Sequence, residues 1–334
     1  MLDPDTLPVL KKGRNLLAFS GGVDSSALFF LLEAAGIAFD VAHVNYRTRG
    51  ASDTEAAHVC RLANRYAKRC FVHEADAAET NFESDARRIR YAFFDRLIQT
   101  HGYDTLITAH QLDDRLEWLL MQLCKGAGLP EMVGMRPLET RTAYTLVRPL
   151  LHRSKADLRT WLDTRRLPYF EDESNRDERY TRNRFRYRFA APMLSKYRKG
   201  IEASFRYLES DADSLSPPCE IHEFAEVLLL QNPPERTALM RCIDRRLKQR
   251  GYLMRRGDKE RLLRENELVI GRRFALSIGT SYTILAPFLK TPMTRSFRER
   301  CRTLGIGPAV RPYLFTVPES FASVSAILED AAPS

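Results

Sequence analysis

The sequence predicts an α/β fold: a doubly wound, mostly parallel sheet, followed by a C-terminal helical and small mixed α/β region. Three observations predict it. Short apolar runs of strand length alternate with longer segments of helix length from residue 15 to residue 123, the alternation that builds parallel βαβ units. The links between them are short, so each helix must cover the sheet it has just left. The two chemically distinctive segments, Ser20–Ser26 and Thr108–Glu117, each leave a predicted strand and enter a predicted helix. That is where such sheets bind ligands, at the carboxyl ends of the strands.

The elements follow in order. Asn15–Phe19 (NLLAF) is an apolar run that reads as a buried strand. Ala27–Ala35 reads as a largely buried helix closed by Gly36. Ala38–Val44 is the second strand, and Ser52 or Asp53 caps a helix running to about Lys68. Cys70–His73 is the third strand, and Asn81 opens a long helix to about Thr100. Asp104–Ala109 is the fourth strand and Leu112–Leu123 the fourth helix. The expected organisation is a catalytic domain over 1–200 and a C-terminal region over 201–334, helical to about residue 268 and then a small mixed subdomain.

A chain of 334 residues suits two or three domains. With 44% hydrophobic and 28% charged residues it has a soluble, globular composition. The opening residues carry acids and prolines instead of a basic stretch followed by an apolar run, so no secretory leader is expected. The longest greasy stretch, Ala27–Leu32, is far short of a membrane span. The six cysteines show no close pair along the chain and no metal-ligand spacing, which suits free thiols in a reducing cytoplasm. The net charge is +9, and the segment 136–200 alone holds 17 Lys or Arg against 8 Asp or Glu. Such a concentration suits a polyanion partner, although a solvated, salt-bridged surface has the same composition.

Ser20-Gly21-Gly22-Val23-Asp24-Ser25-Ser26 is the first motif. Its glycines leave room for phosphate to approach the backbone. The helix that follows points unpaired N–H groups and the positive end of its dipole at an anion. Ser20, Ser25 and Ser26 add hydroxyls, and the Gly-Lys-Ser/Thr of a Walker A loop is absent. The second motif, Thr108-Ala109-His110-Gln111-Leu112-Asp113-Asp114-Arg115-Leu116-Glu117, puts adjacent carboxylates at a strand end. A metal or a cationic substrate would relieve their repulsion, and helix capping is the plainer role for Asp113 and Glu117. His110, beside two carboxylates, is a candidate functional histidine.

The first motif resembles the SGGxDS loop of the ATP pyrophosphatases. With Ala86-Arg87-Arg88-Ile89-Arg90-Tyr91, TAHQLDD, Gly126–Leu129, Arg148–Leu151, the acidic element Glu171–Asn175 and the Arg-Asn element Arg182–Arg186, it resembles the ordered series of the tRNA(Ile)-lysidine synthases. The match covers about residues 14 to 195, with a weaker echo in Phe297–Pro312. Three departures stand out. Gln111 replaces a second histidine, Arg115 and Trp118 replace the usual Gln and Thr around Glu117, and His43-Val44-Asn45-Tyr46 replaces a His-x-His-Gly element. They leave the roles of His43, Asn45 and Glu117 open.

The resemblance implies a PP-loop, adenine nucleotide alpha hydrolase-like fold and a two-step ligation. ATP adenylates the carbon-2 oxygen of the wobble cytidine of the CAU-anticodon isoleucine tRNA and releases pyrophosphate; the ε-amine of free L-lysine then attacks carbon-2 and expels AMP, which carries that oxygen away, to give lysidine. It further implies that Ser20–Ser26 hold ATP and that Asp24 and Asp114 face Mg²⁺ or the lysine ammonium. Arg90, His110 and Asp113 would join the catalytic or lysine-binding set. Arg182, Asn183 and Arg186 would contact tRNA, with the aromatics between them packing the helix or stacking on bases; a plain amphipathic helix is the alternative. Three other functions remain on sequence alone. A tRNA sulfur transferase needs paired cysteines, a relict RNA-binding protein needs no acidic motif, and a small-molecule synthetase needs no basic segment. No membrane partner is expected, and the sequence fixes no oligomeric state.

Overall fold

The computed structural model describes residues 1–47, 52–75, 82–170, 181–215 and 219–330. The chain divides into two compact units, Met1–Ser210 and Asp211–Ser334. The acidic element Glu171–Asn175 lies outside the described residues.

In the first unit a short helix α1 (Leu7–Lys12) leads into β1 (Asn15–Ala18), α2 (Val23–Ala34), β2 (Phe39–Asn45), α3 (Ser52–Arg65), β3 (Cys70–Glu74), α4 (Phe82–His101), β4 (Thr105–Ile107) and α5 (Leu112–Cys124). There follow α6 (Leu129–Val133), β5 (Leu138–Thr140), β6 (Thr145–Val147), α7 (Lys155–Thr164), α8 (Thr181–Phe185), a five-residue π turn (Arg186–Ala190) and α9 (Ala191–Ser214). The sheet order is β3-β2-β1-β4-β6-β5. All its pairings are parallel except β5 with β6. The chain winds outward from β1 through β2 to β3, then returns to place β4 on the other side of β1. The switch point therefore falls between β1 and β4, where Leu17 stands beside Ile107.

Adjacent residues of β1 show the layering. Leu16 packs with Phe93, Phe94 and Leu97 of α4, whereas Leu17 packs with Leu28 and Phe29 of α2 and Leu158 of α7. Because both faces are covered, the central strands β1 and β4 are buried along their length instead of alternating. β5 and β6 were not anticipated; each is only three residues long.

The second unit corrects an expectation. The span 201–268 was expected to be helical, yet β7 (Ile221–Phe224) and β8 (Val227–Gln231) lie within it, ahead of α10 (Arg236–Gln249) and α11 (Arg256–Leu262). With β9 (Glu267–Ile270), β10 (Phe274–Ile278) and β11 (Tyr282–Pro287) they form an antiparallel sheet ordered β7-β8-β11-β10-β9. In β8, Leu228 and Leu230 pack with Leu239 and Ile243 of α10. Val227 and Leu229 pack against the layer of α12 (Arg295–Thr303), α13 (Arg311–Thr316) and α14 (Pro318–Asp330). A strand buried on both faces has no alternation to announce it.

Candidate active site at the switch point

β1 ends at Ala18, and Phe19–Gly22 turn the chain into α2. Gly21 sits at φ +81°, where a side chain is strained, and a Cβ there would meet the Phe170 ring at 3.2 Å. The Gly21 carbonyl accepts from the Phe170 N–H at 2.9 Å and from the Ser26 hydroxyl at 3.0 Å. The hydroxyls of Ser20 and Ser25 lie 3.0 Å apart, and the Ser25 hydroxyl donates to the Gly22 carbonyl at 3.2 Å. No side chain caps α2, whose N-cap is Gly22. The N–H groups of Val23 and its successors are thus left for an anion.

Across the switch point, Thr108 and His110 follow β4. Gln111 caps α5: its backbone N–H donates to Asp114 Oδ2 at 3.0 Å while its side chain accepts from the Asp113 N–H. The departure at Gln111 thus completes a capping box. His110 Nδ1 lies 2.9 Å from the Thr108 hydroxyl. Burial lowers the imidazole to about 4, so His110 is neutral at physiological pH.

Asp114 and Glu117 are one turn apart and both buried. Arg182 reaches Asp114 Oδ1 at 2.6 Å and Glu117 Oε2 at 3.0 Å. Arg186 reaches Asp114 Oδ1 at 3.0 Å and also pairs with Glu117. Burial alone would raise the Asp114 carboxyl, but Arg182, His110 and Arg186 hold it below its ordinary range. Burial and the neighbouring Asp114 raise Glu117, against Arg186.

Arg182 and Arg186, expected to contact tRNA, turn inward to Asp114 and Glu117. Two buried carboxylates demand counter-charges, and the guanidinium forks supply them from inside the protein. Asp114 Oδ1 accepts from both arginines and Oδ2 from the Gln111 N–H. Glu117, whose role was open, belongs to the cluster; its i+3 spacing from Asp114 was the signal. Asn183, between the arginines, is half-buried on α8.

Asp24 differs from its neighbours. Among the described residues its Oδ1 is buried with no hydrogen-bond partner, and Lys155 Nζ lies 3.9 Å from Oδ2. Burial raises its carboxyl to about 7, with Lys155 opposing and Asp114 adding to the rise. Asp113 is raised by burial too, although its Oδ2 accepts from the Lys155 N–H at 3.0 Å. Arg90 is exposed and donates to the Tyr46 hydroxyl at 3.2 Å, and no described contact joins it to the loop or to the acids. Arg87, one turn earlier on α4, joins Arg148 and Arg182 in disfavouring a charge on His110.

Other departures have structural roles. Arg115 is fully buried, pairs with Glu209 at 2.7 Å and stacks over the Phe205 ring at 4.1 Å. Trp118 occupies the space where a Cβ on Gly134 would fall, and its indole N–H donates to the Glu131 carbonyl at 2.8 Å. His43 Nδ1 lies 2.9 Å from the Phe19 carbonyl, and burial lowers its pKa. Asn45 accepts from the Arg47 N–H at 3.0 Å.

Cys60 and Cys70, far apart along the chain, meet in space with sulfurs 3.1 Å apart, so the absence of a close pair holds only in sequence. Burial, reinforced by Cys60, raises the Cys70 thiol to about 12. Among the described residues no three His, Cys, Asp or Glu side chains gather to hold a metal.

Comparisons with known proteins place the chain in a family. A PP-loop domain model matches residues 4–192. A tRNA(Ile)-lysidine synthase of Campylobacter jejuni is 38% identical over 96% of this chain and 98% of that protein. One from Helicobacter pylori is 40% identical over 92% of this chain and 91% of that protein, and one from Wolinella succinogenes is 39% identical over 92% and 94%. Among solved structures, a U34-tRNA thiolase from Methanococcus maripaludis, determined with its 4Fe-4S cluster, shares the fold. Its TM-score is 0.53 at 18% identity, covering 64% of this chain and 76% of that one. An uncapped glycine loop facing a buried acid cluster across the switch point, carried on a sequence that matches lysidine synthases over nearly their whole length, leaves one assignment: the chain belongs to the tRNA(Ile)-lysidine synthase family of PP-loop proteins.

Proposed function

We propose that the chain is an ATP-dependent ligase that joins lysine to carbon-2 of the wobble cytidine in the CAU-anticodon isoleucine tRNA, in the cytoplasm. The observation that carries the reading is Asp24. It stands in the first turn of the uncapped helix α2, within electrostatic reach of Asp113 and Asp114 across the switch point. A nucleotide phosphate seated on the loop is thereby brought next to the acids.

Ser20–Ser26 receive the pyrophosphate portion of ATP through backbone N–H groups and hydroxyls. The buried Oδ1 of Asp24, which has no partner among the described residues, fits a cation, so Asp24 would hold Mg²⁺ together with ATP oxygens, the few-ligand manner usual for that ion. The ion would offset the charge of the leaving pyrophosphate. The carboxylates Asp24, Asp113, Asp114 and Glu117 supply the negative charge that a lysine ammonium needs, and the ammonium would share Asp114 and Glu117 with Arg182 and Arg186. The amine attacks only when neutral. Asp113, raised above the ordinary carboxylate range by burial, is the group suited to take its proton. His110, uncharged, can donate or accept a hydrogen bond without adding charge to the cluster.

The test is incubation of the protein with the CAU-anticodon tRNA, ATP and radiolabelled lysine, followed by digestion and mass analysis. The expected products are AMP, pyrophosphate and a lysine-bearing cytidine. ADP as the stoichiometric product, or sulfur in place of lysine, would overturn the reading.

A further inference from the structure

The segment from Arg184 to Tyr207 has one face against α5 and another that carries large aromatic side chains into solvent. The packed face is explained: Ala190, Leu194 and Phe205 join Leu112 and Leu116 in one apolar cluster. The other face is not. Phe189 is 49% exposed, Tyr197 65% and Tyr207 73%, with Tyr187 and Met193 also exposed. α9 breaks at Tyr197 (φ −124°, ψ 18°), and the ring at the break projects into water. An accumulation of bare rings on one short stretch marks an interaction surface.

Charge identifies what fits it. Between residues 181 and 208 the chain has eight Lys or Arg and a single acid, Glu202. Arg182 and Arg186 turn inward to Asp114 and Glu117. Arg184, Lys196, Lys199 and Arg206 stay exposed among the rings. Rings alternating with cations suit a single-stranded nucleic acid, whose bases stack while its phosphates meet the charges. An apolar protein partner would leave those cations facing its surface without counter-charges.

We infer that this face is a stacking platform for the unpaired bases beside the reactive cytidine, a reading that rests on the function proposed above. Phe189 lies three residues beyond Arg186, which touches the acid cluster, and the π turn between them puts the arginine inside and the ring outside. A cytidine whose carbon-2 oxygen must meet the α-phosphate of ATP has to leave its stack, which removes stacking from its neighbours. Rings one turn outside the acid cluster replace it. Phe189 and Tyr197 carry the contact, and Lys196 and Lys199 hold the backbone.

The test measures binding of an RNA hairpin bearing the CAU anticodon loop to the full-length protein, with Phe189→Ala, Tyr197→Ala, Tyr197→Phe and a Lys196→Ala/Lys199→Ala pair. Each alanine at a ring should weaken hairpin affinity on the order of tenfold and leave the slope of affinity against salt unchanged. Tyr197→Phe should bind as wild type does, and the lysine pair should flatten the salt slope by roughly two units. The KM for ATP should not move in any of the four. Alanine variants that bind the hairpin as wild type does, in a preparation that still ligates lysine to tRNA, overturn the platform and leave the proposed function standing. Ring variants that change the sedimentation of the protein but not its RNA affinity overturn it in favour of self-association. A wild-type protein that ligates no lysine to any tRNA would instead remove the function on which it rests.

Discussion

Asp24 holds the greatest unrelieved electrostatic demand in the site, and its titration has a defined sign. Its carboxyl is raised to about 7 in the folded protein. Between the ordinary carboxylate range and that value the folded protein keeps a proton that the unfolded chain has lost. Stability therefore falls as pH rises through this window, and the full cost is present above it. Asp24→Asn should stabilise the ligand-free protein little at about pH 4 and by about 2–4 kcal/mol above about pH 7. Urea unfolding of both proteins across that range checks it; a gap that does not widen with pH would mean the carboxyl is solvated. The same substitution should lower turnover at least about a hundredfold, on the order of 3 kcal/mol of transition-state stabilisation. Arg186 makes the opposite case. Removing it leaves Asp114 and Glu117 short of a buried counter-charge, so Arg186→Ala should destabilise by about 3–5 kcal/mol. Because that cation faces carboxylates, the salt dependence of tRNA affinity should keep its wild-type slope. A flattened slope with unchanged stability would return Arg186 to the RNA surface.

At the scale of the element, the loop between β1 and α2 depends on one backbone angle and one close approach. Gly21→Ala would place a methyl group at φ +81° against the Phe170 ring. The expected result is a loss of about 1–2 kcal/mol of stability and a raised KM for ATP, with the fold kept. Steady-state AMP release measured against ATP concentration tests it, and an unchanged KM would show that the loop tolerates a shift there. β1, α2, β2, α3, β3, α4, β4 and α5 are legible in sequence because each has a length, a period or a flanking turn residue that distinguishes it. β5 and β6 are too short to carry a pattern. β8 carries an apolar run without alternation, since helices cover both faces of its sheet, and β7 (IHEF) is too short and too polar to announce a strand.

At the scale of the whole molecule, the decision between lysine and sulfur chemistry turns on where the cysteines gather. Cys60 and Cys70 meet between α3 and β3, yet no third ligand joins them among the described residues, as an iron–sulfur cluster would need, and burial raises the Cys70 thiol, against persulfide chemistry. A variant with all six cysteines replaced by Ser or Ala, if folded by circular dichroism, should still incorporate lysine into tRNA with ATP and gain no sulfur. A folded but inactive cysteine-free protein, with Cys124→Ser alone abolishing turnover, would reverse that decision.

The sequence by itself determined the parallel α/β core, the glycine loop and the acidic motif, because these rest on local rules. Strand length, helix caps and glycine's freedom at positive φ are written in consecutive residues. Only the tertiary structure decided which charges meet. Arg182 and Arg186 lie more than sixty residues from Asp114 and Glu117 along the chain, so no spacing rule joins them. Burial and not sequence pattern makes guanidinium and carboxylate seek each other. The same holds for Asp24, whose raised carboxyl comes from the water excluded around it and from Asp113 and Asp114, brought near by the order in which the strands are laid down.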